Sequence, residues 1–352
     1  MKTVLNKKNY DFTNQPMFLG EDLGIQRYDK FRYPKFYELF LQQKENFWMP
    51  FEIGLANDRV QYERLTNEEK FVFESNLRWQ TATDSLLSRS IHQMTKYMSS
   101  TELELCCGTW ADMENVHSLS YTWILQNITK DAGRFFDSIL EDKYIVERME
   151  KISNAYDKLL GDSKNIKQEI FDAVLSTQVT EGLSFYVSFA CSFYFGYRGK
   201  MVGNADIIKL IHRDEATHVA ITQNIMKYWR DNKNEGFQDV IKQNEQKVYD
   251  VYGQAVQNEK DWAKHLFSIG SLIGLNEQML GGYIEWLANS RLVSMGYKKM
   301  FDQKVNPLSG WLDQYLDESK TQVAPQEKEI TSYKIAAFDS TIDEGRISLL
   351  EL

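Results

Sequence analysis

Two of the chain's five histidines stand three residues after a glutamate, as Glu114–His117 and Glu215–His218. On a helix that offset sets a carboxylate and an imidazole one turn apart on the same face, where both can reach one cation. With 27 Glu and five His in 352 residues, chance supplies fewer than one such pair, so two of them point to metal binding. An acid inside an apolar stretch precedes each pair: Asp84 lies 30 residues before Glu114, and Glu181 lies 34 before Glu215. Four carboxylates and two imidazoles form a hard, mostly oxygen donor set that suits iron or manganese better than a closed Cys/His zinc site. Four acids converging in a core would repel one another, and two divalent ions would cancel that charge.

Each half therefore reads as one helix bearing a carboxylate, followed by one bearing Glu-x-x-His. This is the established ligand pattern of ferritin-like dimetal-carboxylate bundles, and the sequence is matched to it. Asp84 stands where that pattern has Glu, which shortens one arm and predicts a lopsided coordination shell. Tyr121 follows His117 by four residues and continues the ligand face for another turn, roughly 6 Å along the axis. A phenol there is either a core side chain with a hydrogen-bonded hydroxyl or a group that an oxygen-activating metal pair can oxidise. Phe185, Phe189 and Ile211 stand one or two turns from ligands and could wall the same pocket.

Helices must hold these groups. All five prolines lie near the ends (Pro16, Pro34, Pro50, Pro307 and Pro325), leaving 256 residues from Phe51 to Asn306 without one. A proline inside a helix costs about 3 kcal/mol, so the gap is what a helical body should show. Apolar residues recur at helical spacing over Asn67–Met98 and around Asp206–Trp229. Thr66 or Asn67 before Glu68, and Asn204 before Asp206, are the expected N-caps. The aromatic run Phe185–Tyr197 is expected to be a buried helix with a distorted interior. The prediction is an all-α, ferritin-like helical bundle over residues 1–318. Residues 319–352 are polar and mixed in charge, and are expected to be a flexible tail whose last apolar residues could dock on a partner.

The net charge of −9, with no block of basic residues, argues against phosphate-backbone binding. Cys106, Cys107 and Cys191 cannot build a disulfide framework and have no evident role beyond packing. The N-terminus lacks the apolar run of a secretory signal, and no stretch is long and apolar enough to span a bilayer. A reducing cytosol is the expected compartment.

The segments WQTATDS (79–85), WADMENVHSLSYT (110–122), TEGLSFYVSFACSF (180–193), RDEATH (213–218) and VAPQ with a downstream SY (323–333) resemble the radical-generating small subunit of class I ribonucleotide reductase. The tyrosine-containing class Ia branch is nearest, and the resemblance runs from about Gln15 to the C-terminus. It implies one iron on Asp84, Glu114 and His117, another on Glu181, Glu215 and His218, and at least one bridging Glu. It implies a stable radical on Tyr121 in a pocket of Phe185, Phe189 and Ile211. Trp48 matches the tryptophan of the radical-transfer route, Asp214 the acid linking it to His117, and Tyr333 and Glu327 the tail residues that pass the oxidation to a large subunit. A homodimer is implied as well.

In that family two ferrous ions and O₂ oxidise the tyrosine, and the oxidising equivalent drives conversion of ribonucleotides to deoxyribonucleotides in the large subunit. This chain has no Gly-rich phosphate loop of recognised form, so nucleotide binding falls to the partner. Manganese can use the same ligands. The competing readings are a dimetal oxidase or oxygenase acting on its own small substrate, which needs neither Tyr121 nor Tyr333, and a metal-storage bundle.

Overall fold

The proline-free stretch folds as a run of α-helices, with the prolines at its margins. The computed structural model describes residues 3–161 and 165–316. Its helices are α1 (Pro34–Glu45), α2 (Ala56–Arg64), α3 (Asn67–Thr95), α4 (Thr101–Ile128), α5 (Ala132–Glu141), α6 (Lys143–Asp157) and α7 (Ile166–Val179). A π-helical turn, Thr180–Ser184, leads into α8 (Tyr186–Tyr197), then α9 (Val202–Asp231), α10 (Gln238–Gln243), α11 (Glu245–Leu266), α12 (Glu277–Ser294) and α13 (Ser309–Leu316). Pro34 opens α1, where its missing N–H and fixed φ cost nothing. Among the described residues there is no strand, only the isolated bridges Phe18–Met98 and Leu272–Leu275.

Three helices, α3, α4 and α9, are 28 to 30 residues long, roughly 42–45 Å. α3 packs along α4 and α8 along α9, while α9 also touches α4 and α7. Such length needs secure starts. At α3, Thr66 Oγ1 accepts from Glu69 N at 3.2 Å and the Glu69 carboxylate accepts from Thr66 N at 3.1 Å, a reciprocal cap. At α4, Ser100 Oγ accepts from Leu103 N.

The start of α9 differs from the sequence expectation. Asn204 lies inside the helix, and Asp58 of α2 does the capping, accepting from Gly203 N at 3.0 Å and Asn204 N at 2.7 Å. A carboxylate at the positive end of the helix dipole serves as well as a local Asn, and it ties α2 to α9. The aromatic run also differs. Its distortion precedes it, in the π turn Thr180–Ser184, and Tyr186–Tyr197 is regular α-helix. In that turn the shifted backbone register leaves carbonyls for side-chain donors: Trp79 Nε1 donates to Ser184 O at 2.7 Å, and Arg291 Nε lies 3.5 Å from Gly182 O.

The three cysteines are buried and unpaired, and burial pushes the Cys191 thiol up to about 12, so they act as packing groups. No helix among the described residues is long and apolar enough to cross a membrane.

Candidate metal centre

The ligand face of each long helix turns inward. Asp84 comes from α3, Glu114 and His117 from α4, Glu181 from the π turn, and Glu215 and His218 from α9, all fully buried. Donor atoms of Asp84, Glu114, His117 and Glu215 lie within 4.8 Å of one another, and so do those of Glu114, Glu181, Glu215 and His218. Glu114 and Glu215 thus belong to both groups, whereas spacing alone assigned each to one. Glu215 Oε1 is 3.3 Å from His117 Nδ1, and its Oε2 is 3.0 Å from His218 Nδ1. Glu114 Oε2 is 3.5 Å from His117 Nδ1 and its Oε1 is 3.2 Å from His218 Nδ1. Each of these carboxylates faces both imidazoles, a geometry suited to bridging two ions. Asp84, the short arm, belongs only to the His117 group.

The protein alone does not satisfy these groups. Both oxygens of Asp84 and of Glu181, Oε2 of Glu114, Oε1 of Glu215 and Nδ1 of His117 are buried with no hydrogen-bond partner among the described residues. Polar atoms left this way are costly, and this cluster is the donor set two divalent cations require. Burial, followed by the charges of Glu114 and Glu215, holds Asp84 well above the carboxylate range. Burial and the same two neighbours do likewise for Glu181. Burial also opposes charge on Glu215, but the closeness of Glu181 and His117 and the hydrogen bond with His218 outweigh it and keep its pKa low. Burial disfavours protonated His117 and His218, yet hydrogen bonds to the surrounding carboxylates reverse that and raise both. The metal-free cluster therefore balances its charge with protons, which cations would displace. The residues fit a dimetal centre.

Tyr121 is fully buried on α4, and its hydroxyl makes no hydrogen bond of ordinary geometry. Burial, then the charge and proximity of Asp84, raise its pKa well above that of a free phenol, so it stays protonated. Phe185, Phe189 and Ile211 are fully buried, with the two Phe rings stacked at 5.5 Å between centroids. From the cluster a polar chain leads outward: His117 Nε2 lies 3.2 Å from Asp214 Oδ2, which also accepts from Trp48 Nε1 at 2.8 Å. His218 Nε2, in contrast, has no partner among the described residues. Tyr333 and Glu327, and the 319–352 tail that carries them, lie outside the described residues.

Sequence reasoning assigned no role to Trp110. It stands one turn before Glu114, donates from Nε1 to Glu114 Oε1 at 2.9 Å, and stacks on the His218 ring at 4.9 Å. Its i−4 offset from a ligand was the available signal. Trp79 and Arg291, which hold the carbonyls beside Glu181, carried no signal in spacing.

Comparison with known proteins places the chain in a family. The family model described as ribonucleotide reductase, small chain, matches residues 26–307. The chain is 37% identical over 374 aligned residues to the ribonucleoside-diphosphate reductase 1 subunit beta of Escherichia coli O157:H7, covering 99% of both chains. It is equally similar, 37% with 99% of each chain covered, to the subunit beta of Buchnera aphidicola from Acyrthosiphon pisum. Among solved structures, the ribonucleotide reductase R2 subunit from Clostridium botulinum superposes with a TM-score of 0.82 at 25% identity, covering 89% of this chain and 98% of that one. A bundle with this buried carboxylate–histidine cluster, and relatives matched end to end, establish that the chain belongs to the ribonucleotide reductase small-chain family.

Proposed function

We propose that Asp84, Glu114, His117, Glu181, Glu215 and His218 hold two iron ions, and that Tyr121 is the side chain oxidised beside them to a stable radical. The chain is the beta subunit of a ribonucleoside-diphosphate reductase, which converts ribonucleotides to deoxyribonucleotides together with a large subunit. The observation that carries the site reading is the pair Glu114 and Glu215, each facing both His117 and His218, with Tyr121 one turn further along α4. When bound, two ferrous ions supply the electrons that reduce O₂ and the oxidising power to take one electron from a nearby phenol.

The protein's own residues do the rest. Glu114 and Glu215, which belong to both donor groups, would hold the two ions together, with Asp84 serving the His117 group and Glu181 the His218 group. Trp110 fixes the Glu114 carboxylate through its indole N–H. Burial of Tyr121 among apolar side chains, with Phe185, Phe189 and Ile211 as proposed walls, keeps water and reductants from the oxidised phenol. The hydrogen-bonded chain His117–Asp214–Trp48 is the proposed exit for the oxidising equivalent. The tail, with Tyr333 and Glu327, would receive it and dock on the large subunit, and the family's usual dimer is the expected assembly. Manganese fits the same donors, so metal identity is a property to measure. Anomalous scattering from crystals grown with ferrous salt tests the site: two peaks inside this cluster support it, and iron bound elsewhere overturns it.

A further inference from the structure

A cavity of about 350 Å³ opens between α6, α7 and α11 and reaches the π turn. Thr180 and Ser184, which flank Glu181, line its inner end together with Trp79. Its surface is mostly apolar, with Ile152, Leu175 and Val251 contributing, and Asn154, Gln254 and Asn258 add polar groups. Its charge is cationic. Asp172 is the one acid in the lining, and it is already paired with Lys247 at 2.6 Å. Lys151 and Lys158 are exposed at the rim and make no ion pair among the described residues.

The inner cation is Arg148, only 6% exposed. Its Nη2 donates to Glu259, and its guanidinium lies 3.7 Å from the Trp79 ring centroid. Its Nη1 is buried and makes no hydrogen bond among the described residues. The guanidinium lies between the Trp79 and Trp262 rings and is paired with Glu259. Its unpartnered nitrogen, in the lining of a cavity with a lysine rim, suits an anionic head on an apolar body. Inorganic phosphate would leave the walls unfilled, and a neutral apolar molecule would leave the Arg148 Nη1 donor and the lysine rim without an anionic partner.

We propose that this cavity binds a small organic anion, a carboxylate or sulfonate on an apolar body, and that its occupancy is felt by the π turn that carries Glu181. The link is direct: the ligand would touch Thr180 and Ser184 and the indole whose Nε1 holds Ser184 O. The inference does not depend on radical chemistry at Tyr121.

The test is calorimetric titration of the full-length, metal-loaded protein with 8-anilinonaphthalene-1-sulfonate, and with its neutral counterpart N-phenyl-1-naphthylamine. One saturable site per chain is expected for the sulfonate, with the neutral compound at least tenfold weaker. Ala155→Phe, which fills the cavity, and Lys151→Glu/Lys158→Glu, which reverses the exposed rim charge, should each weaken binding at least tenfold. Circular dichroism checks that each variant folds, and the rim variant decides if the filled one does not. Hydrogen exchange of the amides at 180–185 should slow severalfold with the sulfonate bound. Absence of binding, equal affinity for the neutral compound, or binding indifferent to a folded variant overturns the site. Binding with unchanged exchange at 180–185 overturns the link to Glu181.

Discussion

The Asp214 carboxylate joins two rings from distant parts of the chain: Oδ2 accepts from Trp48 Nε1 at 2.8 Å and sits 3.2 Å from His117 Nε2. Among the described residues, His218 Nε2 has no such acceptor. A group acting through a ligand's far nitrogen can alter transfer without supplying a metal bond. Asp214→Ala is therefore expected to keep two metal ions per chain and to form the tyrosyl radical. Turnover with the large subunit should fall roughly 10- to 100-fold. Metal analysis, spin quantitation and a coupled assay on one preparation check this, and undiminished turnover would remove Asp214 from the route.

Because Glu114 and Glu215 each face both histidines while Asp84 and Glu181 face one, the four carboxylates should not be equivalent. Glu114→Gln or Glu215→Gln is expected to lose both ions. Asp84→Asn or Glu181→Gln should retain about one per chain. Metal content after gel filtration distinguishes the patterns, and equal losses in all four variants would contradict the shared arrangement.

His212 offers a pH signature away from the ligand set. It is buried against the rings of Tyr186, Phe189 and Phe193, and burial, helped by the charge of Arg291, lowers its pKa to about 4. Above pH 6.5 it is neutral in folded and unfolded chains alike. As pH falls from about 6.5 toward about 4, the unfolded chain takes up a proton that the folded one refuses, so stability is lost across that window. The full loss is roughly 3 kcal/mol. In urea melts of the metal-free protein, the difference between wild type and His212→Phe should grow by that amount over the window. A pH-independent difference would contradict it.

Much of this was legible in one dimension because helices translate spacing into faces. Glu-x-x-His at 114–117 and 215–218, the upstream acids Asp84 and Glu181, and the missing prolines suffice for a helical bundle around a dimetal centre. What spacing does not carry is contact between elements. That Glu114 and Glu215 each serve both groups depends on how α4 meets α9, not on their neighbours in sequence. The cap of α9 comes from Asp58, 145 residues from Gly203, so the nearby Asn204 was the natural but mistaken choice. The π turn hides among residues of ordinary helix propensity, and it is Trp79 and Arg291, from α3 and α12, that bond its carbonyls.

The central claim is that the ions gathered by these six side chains oxidise Tyr121 and no other phenol. Electron paramagnetic resonance of the protein after anaerobic Fe(II) loading and exposure to O₂ tests it most directly, with Tyr121→Phe treated in parallel at equal metal content. A tyrosyl signal in the native chain that is absent from the variant is the predicted result. No tyrosyl signal in the fully loaded native chain, or the same signal in both, would contradict it.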